Sequence, residues 1–293
     1  MEANELKALI SETFPEIDMT TFALMAKGKA GVLCLVNDEI VFKIPLKNND
    51  EIIRWQKNEP EVLKFLENKQ DRLLVEIPKI LYTGISECGV FIFGETLLSG
   101  TTLTYDMYDT FDEHTRNDIL QQLGRIVRQL HDAGGNDPSW QSDRHEDSLK
   151  DRLIEFDQRF SFEVQSVFTE MEIKKIKDIA KHYETITMAH PVNPVLCHYD
   201  LHFGNLMFDM EAKKITGLLD FGCAGYSEPA ADWHYYLEPE YILKGYGETS
   251  DIYFLDRQKF HALSWSLNIL GDEISNDNKS YKYLDYIRKY FLN

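Results

Sequence analysis

The feature that most narrows what this chain can fold into is a pair of polar strings joined by a strand–turn–strand. The first string reads Cys197-His198-Tyr199-Asp200-Leu201-His202-Phe203-Gly204-Asn205, and the second reads Asp220-Phe221-Gly222. Between them, residues 206–208 and 215–219 are apolar runs of strand length, separated by a polar turn over 209–214. A hairpin of this kind returns its second strand to the end where the first began, so Asn205 and Asp220 are predicted to lie side by side. Asp200 precedes Asn205 by five residues, on the loop at that same end. Oxygen-only donors in a site with positions to spare suit Mg²⁺, which keeps few protein ligands and takes phosphate oxygens. The remaining carboxylate is placed to orient a hydroxyl and take its proton, which phosphoryl transfer requires.

The chain before this hairpin changes character once. Residues 3–13 read as a helix and 21–26, 31–36 and 39–44 as strands, the last two joined by Asn37-Asp38, a pair suited to a tight turn. Asp50 reads as the N-cap of a helix reaching Asn68, with Pro60 expected to kink or restart it. Strands at 79–82 and 89–93 follow, and 94–100 breaks the pattern. Beyond that point the periodicity is helical over 112–131, 146–160 and 164–187, and again from Pro229 onward. The fold class expected is therefore α+β. A small β-rich N-lobe covers 1–94, a linker 95–100, and a larger, mainly helical C-lobe 101–293 with the hairpin in its middle.

Lys43 sits on an apolar strand, Val41-Phe42-Lys43-Ile44-Pro45, where an unpaired ammonium is costly. Glu59 on the next helix is its expected partner, aiming it at nucleotide phosphates, and Glu61 replaces it if Pro60 shifts the helical phase. Gly28-Lys29-Ala30-Gly31 lies between the first two strands. Small residues there let backbone amides approach a phosphate, with Lys27 or Lys29 adding charge, although a plain hairpin turn explains the string equally well.

H-x-D-x₄-N followed by D-F-G resembles the catalytic and metal loops of kinases. The whole arrangement, from the Lys43 strand to the last helices, resembles the aminoglycoside phosphotransferase and choline kinase-like superfamily. That resemblance implies a bilobal protein-kinase-like fold. Asp200 would be the catalytic base, Asn205 and Asp220 would hold Mg²⁺, and ATP or GTP would be the phosphate donor. His198 would brace the loop, and Asp232 would tie down the segment after the metal loop. The linker, with Glu95 and Leu97, would present backbone groups to a purine, and Lys43, Glu59, Gly28 and Gly31 would complete the nucleotide site.

Only five residues separate Gly222 from Glu228, too few for a long activation segment, and Tyr199 stands where protein kinases place an arginine. A small-molecule acceptor is expected instead. Residues 226–256 carry seven acidic residues against one lysine, interleaved with aromatics. Carboxylates suit a polyamine sugar and aromatic walls a quaternary ammonium. Glu238, Glu240, Asp232 and Tyr235 are the substrate-contact candidates, with Asp106 and Asp109 a second acidic group. The net charge of −18 argues against a nucleic-acid partner. No apolar run approaches the length of a membrane span, the N-terminus lacks a signal-peptide pattern, and the four cysteines show no C-x-x-C spacing. A cytoplasmic aminoglycoside kinase conferring antibiotic resistance is the leading expectation. A choline, ethanolamine, homoserine or thiosugar kinase and a macrolide or spectinomycin kinase are the alternatives on the same fold. A metal-dependent hydrolase using His198, Asp200 and His202, and a nucleotide-binding pseudokinase, are the alternatives of another class.

Overall fold

The computed structural model describes residues 2–28, 31–46, 49–134, 148–236, 239–276 and 281–293. The chain divides into two compact units. The first is built from Met1–Gln122 and His202–Ala224, the second from Leu123–Asn136, Gln141–Leu201 and Gly225–Asn293. This division differs from the expected break at 95–100, because the hairpin after the candidate catalytic loop groups with the N-terminal residues. Its first strand pairs with Thr101–Thr102, just past the linker, and Leu218 donates its N–H to the Glu76 carbonyl.

In the first unit a five-stranded antiparallel sheet has the order β1 (Phe22–Lys27), β2 (Gly31–Val36), β3 (Ile40–Pro45), β5 (Phe91–Thr96) and β4 (Ile80–Ile85). β2 and β3 alternate, and their inward residues Val32, Cys34, Val36, Ile40, Phe42 and Ile44 form one core with Leu6, Ile10 and Phe14 from helix α1 (Ala3–Thr13). Burial there pushes the Cys34 thiol up to about 11, so it behaves as a small apolar side chain. Asn37 and Asp38 both adopt positive φ, 55° and 57°, as the tight β2–β3 turn requires.

Helix α2 (Asp50–Glu67) follows. Asn49, not Asp50, caps it, accepting the Ile52 N–H at 2.8 Å. The helix runs on through Pro60 without restarting there, and the neighbouring Asn58 and Glu59 are anchored by tertiary hydrogen bonds. The unit closes with β6 (Thr101–Thr102), α3 (Tyr105–Thr110), the first part of α4 (Glu113–Gly134), and the β8 (Leu206–Asp209) and β9 (Lys214–Leu218) hairpin, paired as β6-β8-β9.

The second unit is mainly helical: α5 (Leu149–Arg159), α6 (Phe162–Gln165), α7 (Glu170–Ala189), α8 (Glu240–Tyr246), α9 (Phe254–Ser275) and α10 (Lys282–Ile287). A two-stranded ribbon of β7 (Val195–Cys197) and β10 (Gly225–Ser227) runs through it. α9 is the hub, with Phe260, Leu263, Leu267 and Leu270 packed among Phe156, Ile176, Tyr183 and Phe291. Among the described residues no helix is long and apolar enough to cross a membrane.

Candidate active site

In the first unit, β3 presents Lys43 beneath α2. Its Nζ lies 2.6 Å from Glu59 Oε1 and 3.3 Å from Glu95 Oε1, and all three side chains are nearly removed from solvent. Burial alone would lower the Lys43 pKa, but Glu59, Glu95 and Asp220 outweigh it and hold the ammonium charged, above its ordinary range. The carboxylates show the reverse balance. Burial pushes Glu59 up to about 8 against the attraction of Lys43, with Glu95 and Asp220 adding repulsion. Glu95 is raised by burial in the same way, and its Oε2 is buried without a hydrogen-bond partner among the described residues.

The same helix fixes the D-F-G string. Glu59 Oε1 accepts the Phe221 N–H at 3.1 Å, and Asn58 Nδ2 donates to the carbonyls of Gly222 (3.0 Å) and Ala224 (2.8 Å). Asp220 adopts a left-handed φ of 63°, a conformation an aspartate holds only when its surroundings enforce it. Asn205 ends a short 3-10 turn, Phe203–Asn205, and its carbonyl accepts the Leu219 N–H at 2.9 Å, which puts it beside the residue before Asp220. Tyr105 and Tyr108 of α3 pack on Phe203, with ring centroids 4.8 and 4.6 Å away. A carboxamide and a carboxylate at one hairpin end form a hard-oxygen donor set, which fits Mg²⁺ and not a softer metal.

The chain crosses from the second unit to the first between Leu201 and His202. On the second-unit side, the segment Pro229–Trp233 and the residues just after it grip the candidate loop His198–Leu201 residue by residue. Asp232, 1% exposed, accepts the N–H of His198 at 3.0 Å and of Tyr199 at 2.6 Å. Tyr199 has φ 65°, so these bonds hold a strained tyrosine in place. Tyr235 donates its hydroxyl to Asp200 Oδ1 at 2.5 Å, and Tyr236 donates to the Leu201 carbonyl at 2.7 Å. The Asp200 N–H reaches His198 Nδ1 at 3.3 Å. Burial would raise the Asp232 pKa, but the His131 and Tyr199 hydrogen bonds outweigh it and keep the carboxyl below its ordinary range. With Asp232 ionised, His131 donates to it from Nε2 (3.0 Å) and accepts the Tyr246 hydroxyl at Nδ1 (2.9 Å).

Several sequence expectations change on this geometry. Asp232 was a candidate both for support and for substrate contact; its buried carboxylate, committed to three partners, leaves only the first. Glu95 lies inside β5, and its side chain serves Lys43 instead of belonging to a linker. Leu97 donates its N–H to the Glu39 carbonyl at 2.8 Å, so that donor is committed within the protein. Gly28 donates its N–H to the Gly31 carbonyl at 2.8 Å, as in a closed turn, and a Cβ on Gly31 would come within 2.4 Å of the Ile44 carbonyl oxygen. The close approach of β3 therefore accounts for Gly31. Glu240 is exposed at the start of α8, Asp106 and Asp109 are exposed on α3, and Glu238 and Lys29 lie outside the described residues. Glu61 is exposed on α2 while Glu59 takes Lys43, so the helical phase holds through Pro60. For the hydrolase alternative, Nδ1 of His198 and of His202 accept the N–H groups of Asp200 and Gly204. Among the described residues the cluster with metal-ligand spacing is instead His131, Cys197 and Asp232, in which His131 and Asp232 are hydrogen-bonded to each other and the Cys197 thiol faces the Ser227 and Glu228 carbonyls.

Each unit thus holds one group of the candidate residues, Lys43, Glu59, Asn205 and Asp220 in the first and Asp200 in the second. The phosphotransferase enzyme family matches over residues 36–252, and the chain belongs to that family. Its fold is that of the family's solved structures. The GDP and kanamycin complex of APH(2″)-IIIa superposes with a TM-score of 0.78 at 18% identity, covering 97% of each chain. ADP-bound aminoglycoside phosphotransferase APH(2″)-Ib gives 0.68 at 20% identity, covering 97% of this chain and 94% of that one. The macrolide 2′-phosphotransferase MphH from Brachybacterium faecium gives 0.63 at 16% identity, covering 97% of each. At these identities the likeness shows the fold.

Proposed function

We propose that this chain moves the γ-phosphoryl group of ATP or GTP to a hydroxyl of an aminoglycoside, acting in the cytoplasm and conferring resistance to the antibiotic. The observation that carries the phosphoryl-transfer part is the buried Lys43–Glu59 pair, whose glutamate also holds the D-F-G backbone. An ammonium fixed in this way positions the donor's phosphates. Asp200 orients the acceptor hydroxyl and takes its proton. Asn205 and Asp220 would hold Mg²⁺, which when bound supplies charge neutralisation on the triphosphate. The rest is alignment by this chain's own groups, the main source of rate in such transfers. The aminoglycoside assignment is supported by the acidic balance of residues 226–256 and by the kanamycin-bound relative.

One observation favours a second reading. Aromatic rings stand on one side of Asp200: Tyr235 touches it, and Trp265 lies 4.7 Å from the Tyr235 ring. Such walls suit an acceptor with an apolar face or a quaternary ammonium, as in a macrolide or choline kinase. Nucleotide turnover with Mg²⁺, in parallel for ATP and GTP, against kanamycin, choline, homoserine and a macrolide separates these readings. Kanamycin-stimulated turnover that Asp200→Asn abolishes is the expected result. Turnover only with a metabolite or a macrolide would remove the aminoglycoside assignment and keep the chemistry.

A further inference from the structure

Three side chains close together in sequence hold the catalytic loop, and one of them touches the functional group itself. Asp232 and Tyr236 bond to backbone atoms, whereas Tyr235 donates to Asp200 Oδ1 at 2.5 Å. The Tyr235 ring packs against two aromatic neighbours. His234 lies 4.1 Å away, and the Trp265 ring meets it edge-on at 4.7 Å and 66°. Trp265 is in turn packed edge-on against Tyr283 at 5.5 Å. His234 is fixed by its own Nδ1–H bond to the Ala231 carbonyl at 2.8 Å, and burial lowers its pKa to about 4, so it adds no charge beside the carboxylate.

We propose that Tyr235 is a positioning residue for phosphoryl transfer: its phenol engages Asp200 Oδ1, fixes the carboxylate rotamer, and so aligns the carboxylate with the acceptor hydroxyl. The proposal rests on the reading of Asp200 as the base. A phenol-to-carboxylate bond is charge-assisted, and each carboxylate oxygen carries two lone pairs, so the bond leaves capacity for the acceptor. In the reaction the acceptor proton passes to the Asp200 carboxylate as the acceptor oxygen bonds to the γ-phosphorus. The bond from that phosphorus to the β–γ bridging oxygen breaks, and the nucleoside diphosphate leaves. The phenol keeps its proton throughout. Its contribution is alignment, which matters because reactivity between held groups falls steeply when they are misplaced.

The test compares wild type, Tyr235→Phe, Asp200→Asn and the double variant, with Mg²⁺, ATP or GTP, and kanamycin or choline as acceptor. Tyr235→Phe is expected to lower kcat by about 10- to 100-fold while leaving both KM values within about twofold. An unchanged kcat, or a raised acceptor KM with kcat intact, would overturn the proposal, the latter making Tyr235 an acceptor-binding residue. Activity retained in Asp200→Asn would overturn the base assignment and this proposal together. Activity lost in Asp200→Asn but intact in Tyr235→Phe would overturn this proposal alone. Independently of any acceptor, urea unfolding of wild type, Tyr235→Phe, Asp200→Ala and their double variant reads the contact itself, since Asp200→Ala removes the accepting oxygen that asparagine would keep. The two substitutions should be non-additive by about three- to tenfold in the unfolding equilibrium constant, and additivity would sink the proposal.

Discussion

The two half-sites are held by opposite physical means. On the Lys43 side, one ammonium is buried among three carboxylates, and the arrangement persists because charge compensates charge. On the Asp200 side, buried groups reach mostly backbone N–H and C=O, and the functional carboxylate is touched by a neutral phenol. Behind that loop sits a second charged cluster with its balance reversed. Glu228 accepts from Tyr183, Arg257 and His261, with Arg152 at 3.8 Å. Burial would raise its pKa, but His261, Arg152 and Tyr183 outweigh it and hold it near 2. Carboxylates in excess over cations are pushed toward protonation, and a carboxylate outnumbered by cations is held ionised. Burial raises the carboxylates on both sides, and it wins at Glu59 but is overturned at Glu228 by hydrogen bonds and nearby cations.

The largest effect should fall on chemistry. Asp200→Asn keeps the size of the side chain and its capacity to accept from Tyr235, but removes the base, so kcat should drop by about 10³-fold with folding intact. Comparable loss of nucleotide affinity and kcat together would instead place Asp200 in nucleotide binding. Next, Glu228→Gln removes the buried carboxylate that Arg257 shares with Asp251 and that lies 3.8 Å from Arg152. It should destabilise the second unit by about 3–5 kcal/mol, read as lost amide-exchange protection in α7 and α9 while α2 and β3 keep theirs.

The comparison sharpens with pH. Glu59 has a folded pKa of about 8 against an ordinary 4.5, so the folded protein binds that proton more tightly than the unfolded chain. Its contribution to stability is full below pH 4.5 and is lost as pH rises through about 8. Glu228, depressed to about 2, contributes above pH 4.5 and loses that contribution as pH falls toward 2. In the nucleotide-free protein, Glu59→Gln should therefore flatten the neutral limb of the stability profile and Glu228→Gln the acid limb. If both substitutions flattened the same limb, the contrast between Glu59 and Glu228 would be wrong.

How much of this was legible in the sequence follows the same divide. A lysine on an apolar strand demands a carboxylate on the next element, which made Glu59 visible, and the hairpin arithmetic placed Asn205 near Asp220. Glu95 was missed as a second partner of Lys43 because β5 runs on to Thr96, past the point where its apolar pattern fades. The grip on the catalytic loop left no local signal. Its bonds join residues 33 to 35 positions apart in the chain, and His131 reaches Asp232 from 101 positions away. Tyr235 stood out only as one aromatic among several in an acidic stretch. Charge burial leaves a mark on the sequence because few residue types can satisfy it, whereas backbone clamping can be done by almost any polar side chain.

The smallest expected effects test that last distinction. Asn58→Ala strips the partner from two carbonyls, Gly222 and Ala224, in a buried setting, and should cost about 1–3 kcal/mol. Tyr236→Phe removes one hydroxyl from one carbonyl, Leu201, and should cost about 1 kcal/mol. Neither side chain touches a reacting group, so each acts by letting a loop drift. Asn58→Ala should weaken nucleotide binding with Mg²⁺, since the freed segment carries Asp220. Tyr236→Phe should instead lower kcat by a few-fold at unchanged nucleotide affinity, since the freed residue follows Asp200. Swapped outcomes would mean that the two halves of the site are not positioned separately, and the division between a charge-held and a clamp-held half would have to be abandoned.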